Sequence, residues 1–295
     1  MAGTSASPES FYDAARAEHV EVDDAALAVR QFGSGPALLL VHGFPVHGYT
    51  WRKLLPALAE HFRCVVVDLA GLGDSSWTPA TRFGFTAQAL RLRTLAERLG
   101  LGRFALTAHD TGATVARLLA LAAPERVTRI AIINTEMPGH RPPWIPLYQR
   151  LTHVPGSAAL FRILLRSRAF VRSGMGFREF YSDRRRFDEP GWLERYVDPL
   201  VASPRRMEGM LRYLRGAEWD AVDALRERHA RIRVPALLLW GEDDRTFPAA
   251  LAEPMAKQFG GPVRFVRIPH ASLMPHEERP DAVLAELLPF LLGGS

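Results

Sequence analysis

The chain has 295 residues, a formal net charge of +5 and 47% hydrophobic residues. This composition is typical of a globular protein with a large core and excludes a disordered or fibrous chain. The length suits a core with a smaller inserted piece. An internal disulfide is excluded because Cys64, within an apolar run, is the one cysteine.

The compartment is predicted from two missing signals. The first residues, MAGTSASPES, have neither the basic nor the apolar region of a signal peptide. No apolar stretch approaches the roughly 20 residues that cross a bilayer. We therefore predict a cytoplasmic protein without a membrane partner.

The basic charge comes mostly from arginine and is densest from Arg162 through RSRAFVRSGMGFREFYSDRRRF. Acidic residues are interspersed in the later part of this stretch, and no nucleic-acid-binding motif accompanies it. The stretch is therefore predicted to be the solvated face of amphipathic helices, and no nucleic acid is expected as a partner.

Apolar runs rich in Val, Ile and Leu alternate with helical patterns along the first part of the chain. Unbroken apolar runs are typical of strands that are covered on both faces of a parallel sheet. We predict a mostly parallel, doubly wound α/β sheet. The predicted strands are 37–43, 64–71, 104–110 and 129–136, and the pattern returns at 234–244 and 263–269 before a final helix.

The segment between these two sets of strands has a different pattern. After Glu136 the sequence is proline-rich, and it then shows helical periodicity with several aromatic residues. We predict a helical lid inserted into the core. The predicted domains are the first part of the core at 1–136, the lid at 137–230 and the second part of the core at 231–295.

The stretch AHDTGA (108–113) joins a predicted strand to a predicted helix. A residue at such a tight turn is presented above the carboxyl edge of the sheet, and small neighbours such as Gly112 allow the turn. Asp110 occupies the centre. A carboxylate nucleophile suits attack at saturated carbon, as in an alkyl halide or an epoxide. The alternative is that Asp110 only caps the helix that follows.

Five motifs together resemble the haloalkane dehalogenase and epoxide hydrolase group of the α/β-hydrolase fold. They lie in the expected order between residues 41 and 283 and cover the core rather than the lid. The resemblance implies an α/β-hydrolase fold with an aspartate nucleophile. The motifs are VHGFP, DLAGLGDSS, AHDTGA, WGEDD and HEERPDAV.

The resemblance also implies roles for particular residues. Asp110 would be the nucleophile, and the backbone N–H groups of Phe44 and Thr111 would form the oxyanion hole. The Phe44–Pro45 bond is expected to be cis. For the acid that orients a catalytic histidine, the first candidate is Asp244 in GEDD and the second is Glu136 in NTE.

The chain departs from the family where the catalytic histidine is expected. Aligned on EERPDAV, that position is Leu273, and a leucine cannot activate water. His270 and His276 each lie three residues away, a span of about 10 Å in an extended loop. His270 is the candidate replacement base, whereas His276 is expected in the first turn of the last helix with a surface role. The third possibility is that the base is missing.

The substrate class depends on the lid and on Thr111. Dehalogenases of this group carry a tryptophan or an arginine at the position of Thr111, whereas epoxide hydrolases use lid tyrosines as proton donors. The segment MLRYLRGAEW resembles a lid segment with such a tyrosine, which would be Tyr213, and Tyr181 or Tyr148 would be the second. Packing is the alternative role for each. Further candidates for an apolar binding site are Trp144 and Trp192.

We therefore expect a hydrolase that attacks saturated carbon through Asp110 to form an alkyl ester, with epoxides ahead of halides as substrates. The first alternative is a haloalkane dehalogenase-like hydrolase. The second is a hydrolysis-deficient ligand binder or covalent trap, because of Leu273. The predicted ligand is a small apolar molecule. No cofactor and no metal site is predicted, and the oligomeric state stays open.

Overall fold

The computed structural model describes residues 7–294. A nine-stranded sheet lies at its centre, because the continuous runs of Val, Leu and Ile form strands buried on both faces. The prediction about a signal peptide concerns residues that lie mostly outside the described range. The strands are β1 (Glu18–Val22), β2 (Ala25–Phe32), β3 (Ala37–Val41), β4 (Arg63–Val67), β5 (Ser76–Trp77), β6 (Phe104–His109), β7 (Val127–Ile133), β8 (Ala236–Gly241) and β9 (Val263–Ile268).

The strand order is β1-β2-β4-β3-β6-β7-β8-β9, with β5 paired to β2. The pairs from β4 to β9 along this order are parallel, whereas β2 runs antiparallel to β1, β4 and β5. The predicted mostly parallel α/β sheet is confirmed. Because β6 lies between β3 and β7, the loops after these three strands meet at one edge of the sheet.

The helices of the core cover both faces of this sheet. The final predicted helix is present, whereas the helical pattern at 50–62 forms one turn of 3₁₀ helix and a short α-helix. These helices are α1 (Pro8–Ala14), the 3₁₀ helix Gly48–Trp51, α2 (Leu55–Ala59), α3 (Phe85–Arg98), α4 (Thr111–Ala122), α12 (Ala249–Ala256), α13 (Pro275–Glu278) and α14 (Pro280–Leu292).

Between β7 and β8 the chain forms helices and no strand. These helices pack over the carboxyl edge of the sheet, where the loops after β3, β6 and β7 meet. The α-helices are α5 (Trp144–Thr152), α6 (Ser157–Arg166), α7 (Arg168–Val171), α8 (Trp192–Tyr196), α9 (Asp198–Ala202), α10 (Pro204–Arg215) and α11 (Trp219–Arg228), and the 3₁₀ helices are Arg178–Phe180, Arg184–Asp188 and His229–Arg231. None of the helices within 7–294 is long and apolar enough to cross a membrane.

Candidate active site

Asp110 lies at a strained turn between β6 and α4. Its backbone has φ 51° and ψ −132°, an unusual conformation for a residue with a side chain. The turn brings α4 close to the loop after β3. A Cβ atom added at Gly112 would lie 2.1 Å from the carbonyl oxygen of His42, and one at Gly43 would lie 2.4 Å from the Cβ of Asp110. Glycine at these two positions therefore lets the turn form.

The side chain of Asp110 faces the loop after β3 rather than its own helix. The Phe44 N–H donates to Asp110 Oδ2 at 2.7 Å. The Asp110 side chain makes no capping hydrogen bond to α4, so the prediction that it only caps the helix is wrong. The Phe44–Pro45 bond is cis, as expected. Of the two predicted oxyanion-hole residues, Phe44 donates its backbone N–H to this carboxyl, and Thr111 directly follows Asp110 as the first residue of α4.

Burial and neighbouring negative charges raise the pKa of Asp110 well above its ordinary value. Burial is the largest cause, and the charges of Glu136 and Asp244 add to it. The backbone N–H groups of Phe44 and Thr111 oppose the rise in part. The nucleophilic, ionised form of Asp110 therefore becomes more abundant as the pH increases.

Glu136 follows β7 and lines the same cavity as Asp110. Its Oε2 accepts hydrogen bonds from Thr114 at 2.7 Å and Thr135 at 3.0 Å. The buried Arg117 donates to the Glu136 carbonyl oxygen at 2.8 Å and also to the Thr114 hydroxyl. Glu136 is therefore fixed beside the predicted nucleophile and acts on it through its charge.

Asp244 lies in the loop after β8 and is almost fully buried. Its Oδ2 accepts from Asn134 Nδ2 at 2.6 Å, and its Oδ1 accepts from the N–H groups of Thr246 and Phe247. Burial raises the pKa of Asp244 to about 7, against the effect of these donors. Its role as the base-orienting acid stays a prediction, since its partners are an amide and two backbone groups, and no histidine within residues 7–294 forms a hydrogen bond with it.

Leu273 is 4% exposed and lines the cavity together with Asp110. Its carbonyl oxygen is 2.9 Å from His109 Nε2. The loop around it is fixed from the lid side, because Met274 N–H donates to the Phe180 carbonyl at 3.1 Å. At the position expected for the catalytic histidine, the cavity wall is therefore a packed aliphatic side chain.

The two candidate histidines lie elsewhere. His270 is exposed on a turn with φ 55° and does not line the cavity, so the prediction that it replaces the base is wrong. His276 belongs to α13 and is fully buried, which contradicts its predicted surface role. Its Nε2 is 2.7 Å from the Thr50 hydroxyl, and burial lowers its pKa to about 4. No histidine is among the described residues that line the cavity.

The cavity has a volume of about 170 Å³ and is bounded mainly by apolar side chains of the lid. Trp144 and Tyr148 of α5 line it, and their predicted role in substrate binding stays a prediction. Three acidic residues, Asp110, Glu136 and Glu179, are also part of its lining. The site therefore suits a small, largely apolar molecule that meets a few carboxyl groups.

Tyr213 of α10 also lines the cavity. Its hydroxyl donates to the Thr111 Oγ1 at 3.0 Å, next to the nucleophile, and its ring stacks on Phe44 with centroids 5.7 Å apart. Burial raises the pKa of Tyr213, so the phenol stays neutral and carries a proton at ordinary pH.

The other predicted tyrosines and Trp192 are not beside the nucleophile. The Tyr148 hydroxyl donates to the Met175 carbonyl. Tyr181 donates to Glu277 at 2.9 Å and accepts from the Trp192 indole at 2.9 Å. Tyr181 and Trp192 do not line the cavity, so their predicted role in substrate binding is wrong. They pack instead around a buried ion pair of Glu277 with Arg52.

Several cavity residues were not predicted from the sequence. Phe161 and Leu165 lie one turn apart on α6 and face inward. The spacing of apolar residues along this helix could have indicated this inward face. Glu179 in the lid and Phe247 after β8 also line the cavity. Glu179 lies in a single turn of 3₁₀ helix and Phe247 in a loop, and neither segment is long enough for a periodicity that would indicate which way a side chain points.

The fold agrees with comparisons to known proteins. Residues 36–280 match the model of the α/β hydrolase fold family. The chain belongs to this family. Among curated relatives, it is 29% identical to the magnesium-chelatase 30 kDa subunit of Rhodobacter capsulatus over 88% of each chain. It is 26% identical to epoxide hydrolase 4 of Mus musculus over 92% of this chain and 79% of the relative.

Solved structures of the family share the overall fold. The epoxide hydrolase CorEH without ligand has a TM-score of 0.80 at 22% identity, and the match covers 94% of this chain and 99% of the other. An ancestral haloalkane dehalogenase has a TM-score of 0.74 at 22% identity, over 93% and 98% of the two chains. At these identities the likeness concerns the fold.

Proposed function

We propose that the protein opens small apolar epoxides with Asp110 and retains them as an ester that it hydrolyses very slowly. The observation that carries the proposal is the pairing of Asp110 with Leu273 in one cavity. The nucleophile and its N–H donors are present, whereas the side chain that would activate water is aliphatic. The epoxide hydrolase relatives support the choice of substrate class.

The chemical step balances without a cofactor. An Asp110 oxygen attacks a ring carbon, the ring C–O bond breaks, and its electron pair passes to the ring oxygen. That oxygen takes the proton of the Tyr213 hydroxyl, and the product is a hydroxyalkyl ester of Asp110. The Phe44 and Thr111 N–H groups then bind the ester carbonyl.

Hydrolysis of this ester needs a base that removes a proton from water. The family places a histidine where this chain has Leu273. In subtilisin, removing a member of the catalytic triad lowers turnover about a millionfold. By analogy, we expect a loss of similar size in the hydrolysis of this ester. The covalent product should therefore accumulate after a single reaction.

Epoxides are favoured over alkyl halides by what surrounds the nucleophile. Thr111 stands at the position where related dehalogenases hold the departing halide or the substrate carboxylate, and its hydroxyl is used by Tyr213. A proton donor beside the nucleophile assists an epoxide oxygen but gives no help to a departing halide. Dehalogenation is therefore the weaker alternative.

A non-covalent ligand binder is the second candidate function. It is favoured by Leu273 and by the relative named as a magnesium-chelatase subunit rather than as a hydrolase. In this case Asp110 would contact the ligand without bonding to it.

Intact-protein mass spectrometry separates these functions. The protein is incubated at mildly alkaline pH with terminal epoxides and bromoalkanes, alongside the Asp110→Asn variant. We expect a gain of one whole epoxide mass per chain, mapped to the peptide with Asp110 and absent from the variant. A bromoalkane adds its alkyl group less one hydrogen, because bromide leaves. Tight reversible binding without a mass gain would favour the binder and reject the ester.

A further inference from the structure

The outer face of the lid carries most of the large apolar side chains that are exposed in the described residues. These side chains lie on α5, on α6 and in the turns after α5 and α7, between 47% and 62% exposed. On α6, Leu160 and Ile163 are three residues apart and share one face. We define the lid patch as Leu147, Val154, Leu160, Ile163 and Met175.

The same part of the lid has an unusual charge. Residues 137–178 contain neither Asp nor Glu but seven arginines, at 141, 150, 162, 166, 168, 172 and 178. Arg150 lies three residues after Leu147, and Arg166 lies three after Ile163, so each continues an apolar stripe. Arg150, Arg166 and Arg168 are exposed, and no acidic side chain within 7–294 pairs with them.

An exposed apolar face with cations at its border and no anions is typical of helices that lie on an anionic lipid surface. The aliphatic side chains enter the boundary between headgroups and acyl chains, while the arginines remain with the lipid phosphates. The lack of acidic residues matters, because a carboxylate in this region would be repelled by the same headgroups. We infer that the lid patch docks the protein on the surface of an anionic membrane.

The patch and the candidate active site are two sides of the same helices. Phe161 and Leu165 face inward from α6 and line the cavity, whereas Leu160 and Ile163 face outward. Met175 is 56% exposed and also lines the cavity, and its carbonyl accepts from the Tyr148 hydroxyl. Docking through the patch would thus place an edge of the cavity against the lipid.

This arrangement identifies a source of the ligand. A small apolar molecule partitions into acyl chains, and it would reach the cavity from the bilayer past Met175 rather than from water. This last step rests on the proposed function, whereas docking itself does not. This inference differs from the expectation, made from the sequence, that no membrane is a partner. The inferred contact lies at the membrane surface and requires no spanning helix.

Flotation with lipid vesicles tests the docking directly. The protein is mixed with vesicles of phosphatidylcholine and phosphatidylglycerol, or of phosphatidylcholine alone, at low and high salt. We expect binding to the anionic vesicles, a loss of binding at high salt, and weak binding to the neutral vesicles. Equal binding to both kinds of vesicle, or to neither, would overturn the inference.

Two pairs of variants locate the contact. Ile163→Glu should lower vesicle binding at least about tenfold, whereas Leu251→Glu, at a side chain 51% exposed on α12, should leave it unchanged. Changing Arg150, Arg166 and Arg168 together to Gln should lower binding on the order of a hundredfold. The matched control changes three arginines of the α/β core, Arg16, Arg103 and Arg233, together to Gln. Equal losses in variant and control would overturn the assignment to the lid.

Further measurements distinguish membrane docking from other occupants of the lid patch and from the proposed function. If the patch is instead an interface between two copies, light scattering will show a dimer that Ile163→Glu dissociates, and the membrane inference is then wrong. Vesicle binding does not require Asp110, so Asp110→Asn should float like the unchanged protein. Docking without an ester would reject only the proposed chemistry, and an ester without docking would reject only this inference.

Discussion

Replacing Leu273 by histidine should shorten the lifetime of the proposed Asp110 ester and lead to release of product. Leu273 lines the cavity with Asp110, at the position where the family carries its base. Leu273 follows β9, and Asp244 lies in the loop after β8, the strand that pairs with β9. The two loops are joined by a hydrogen bond from the Asp243 N–H to the Ala271 carbonyl at 2.9 Å. The introduced imidazole therefore enters a loop that is already fixed beside a buried carboxyl.

The size of the effect follows from the chemistry and from the burial. General base catalysis contributes about a hundredfold to ten-thousandfold, so the ester should decay at least about a hundredfold faster in Leu273→His. Leu273 is 4% exposed, and exchanging it for a polar ring should cost about 1–3 kcal/mol of folding stability. A hydrogen bond to Asp244 would offset part of this cost.

The assay follows the decay of a preformed ester. Each protein is allowed to react with an epoxide, excess ligand is removed, and the intact mass is recorded over time together with the diol released. Leu273→Gln is the matched control, since it has a similar size and polarity but no base. Equal ester lifetimes in the His and Gln variants, both shown to be folded by thermal unfolding, would refute the role assigned to Leu273.

Three further results are expected. Tyr213→Phe keeps the ring that stacks on Phe44 but removes the proposed proton donor. The rate of mass gain should therefore fall at least about a hundredfold with epoxides and change little with bromoalkanes. Glu136→Gln removes a charge that raises the pKa of Asp110, so the pH profile of esterification should move to lower pH; a move to higher pH would contradict this electrostatic role. Burial raises the pKa of Asp244 from its ordinary 3.8 to about 7 in the folded protein. Its contribution to stability is therefore fully present below about pH 4 and is lost as the pH rises through 7. The side chain of the Asp244→Asn variant cannot ionise. Between about pH 4 and pH 8, denaturant unfolding should show that the free energy of unfolding of the unchanged protein falls by about 4 kcal/mol relative to that of the variant. A constant difference would show that burial does not shift this pKa.

The core could be predicted from the sequence because its strands are continuous apolar runs. The runs at 37–43 and 104–110 correspond to β3 and β6 within one or two residues. The strands β1 and β2 were not predicted, since β1 has no apolar run and the run that begins β2 is mostly alanine rather than Val, Ile and Leu. The turn with Asp110 was found because glycine is required close to it, a constraint that appears directly in the sequence.

The directions of lid side chains could not be predicted in the same way. Tyr181 and Tyr213 are both buried lid tyrosines, yet one hydroxyl binds Glu277 and the other binds Thr111. Which partner each tyrosine meets depends on how several short helices pack, and no local pattern contains this information. His276 is a similar case, since its burial depends on Trp51 and Thr50 far away along the chain.

The persistence of the Asp110 ester tests the central claim most directly. After reaction with a terminal epoxide and removal of the excess, the mass of the unchanged protein should stay one epoxide mass higher for hours, with no diol released. A return to the starting mass with release of one diol per chain would contradict the claim. Leu273 would then not have removed hydrolysis, and Glu136 would be the group to test as the base.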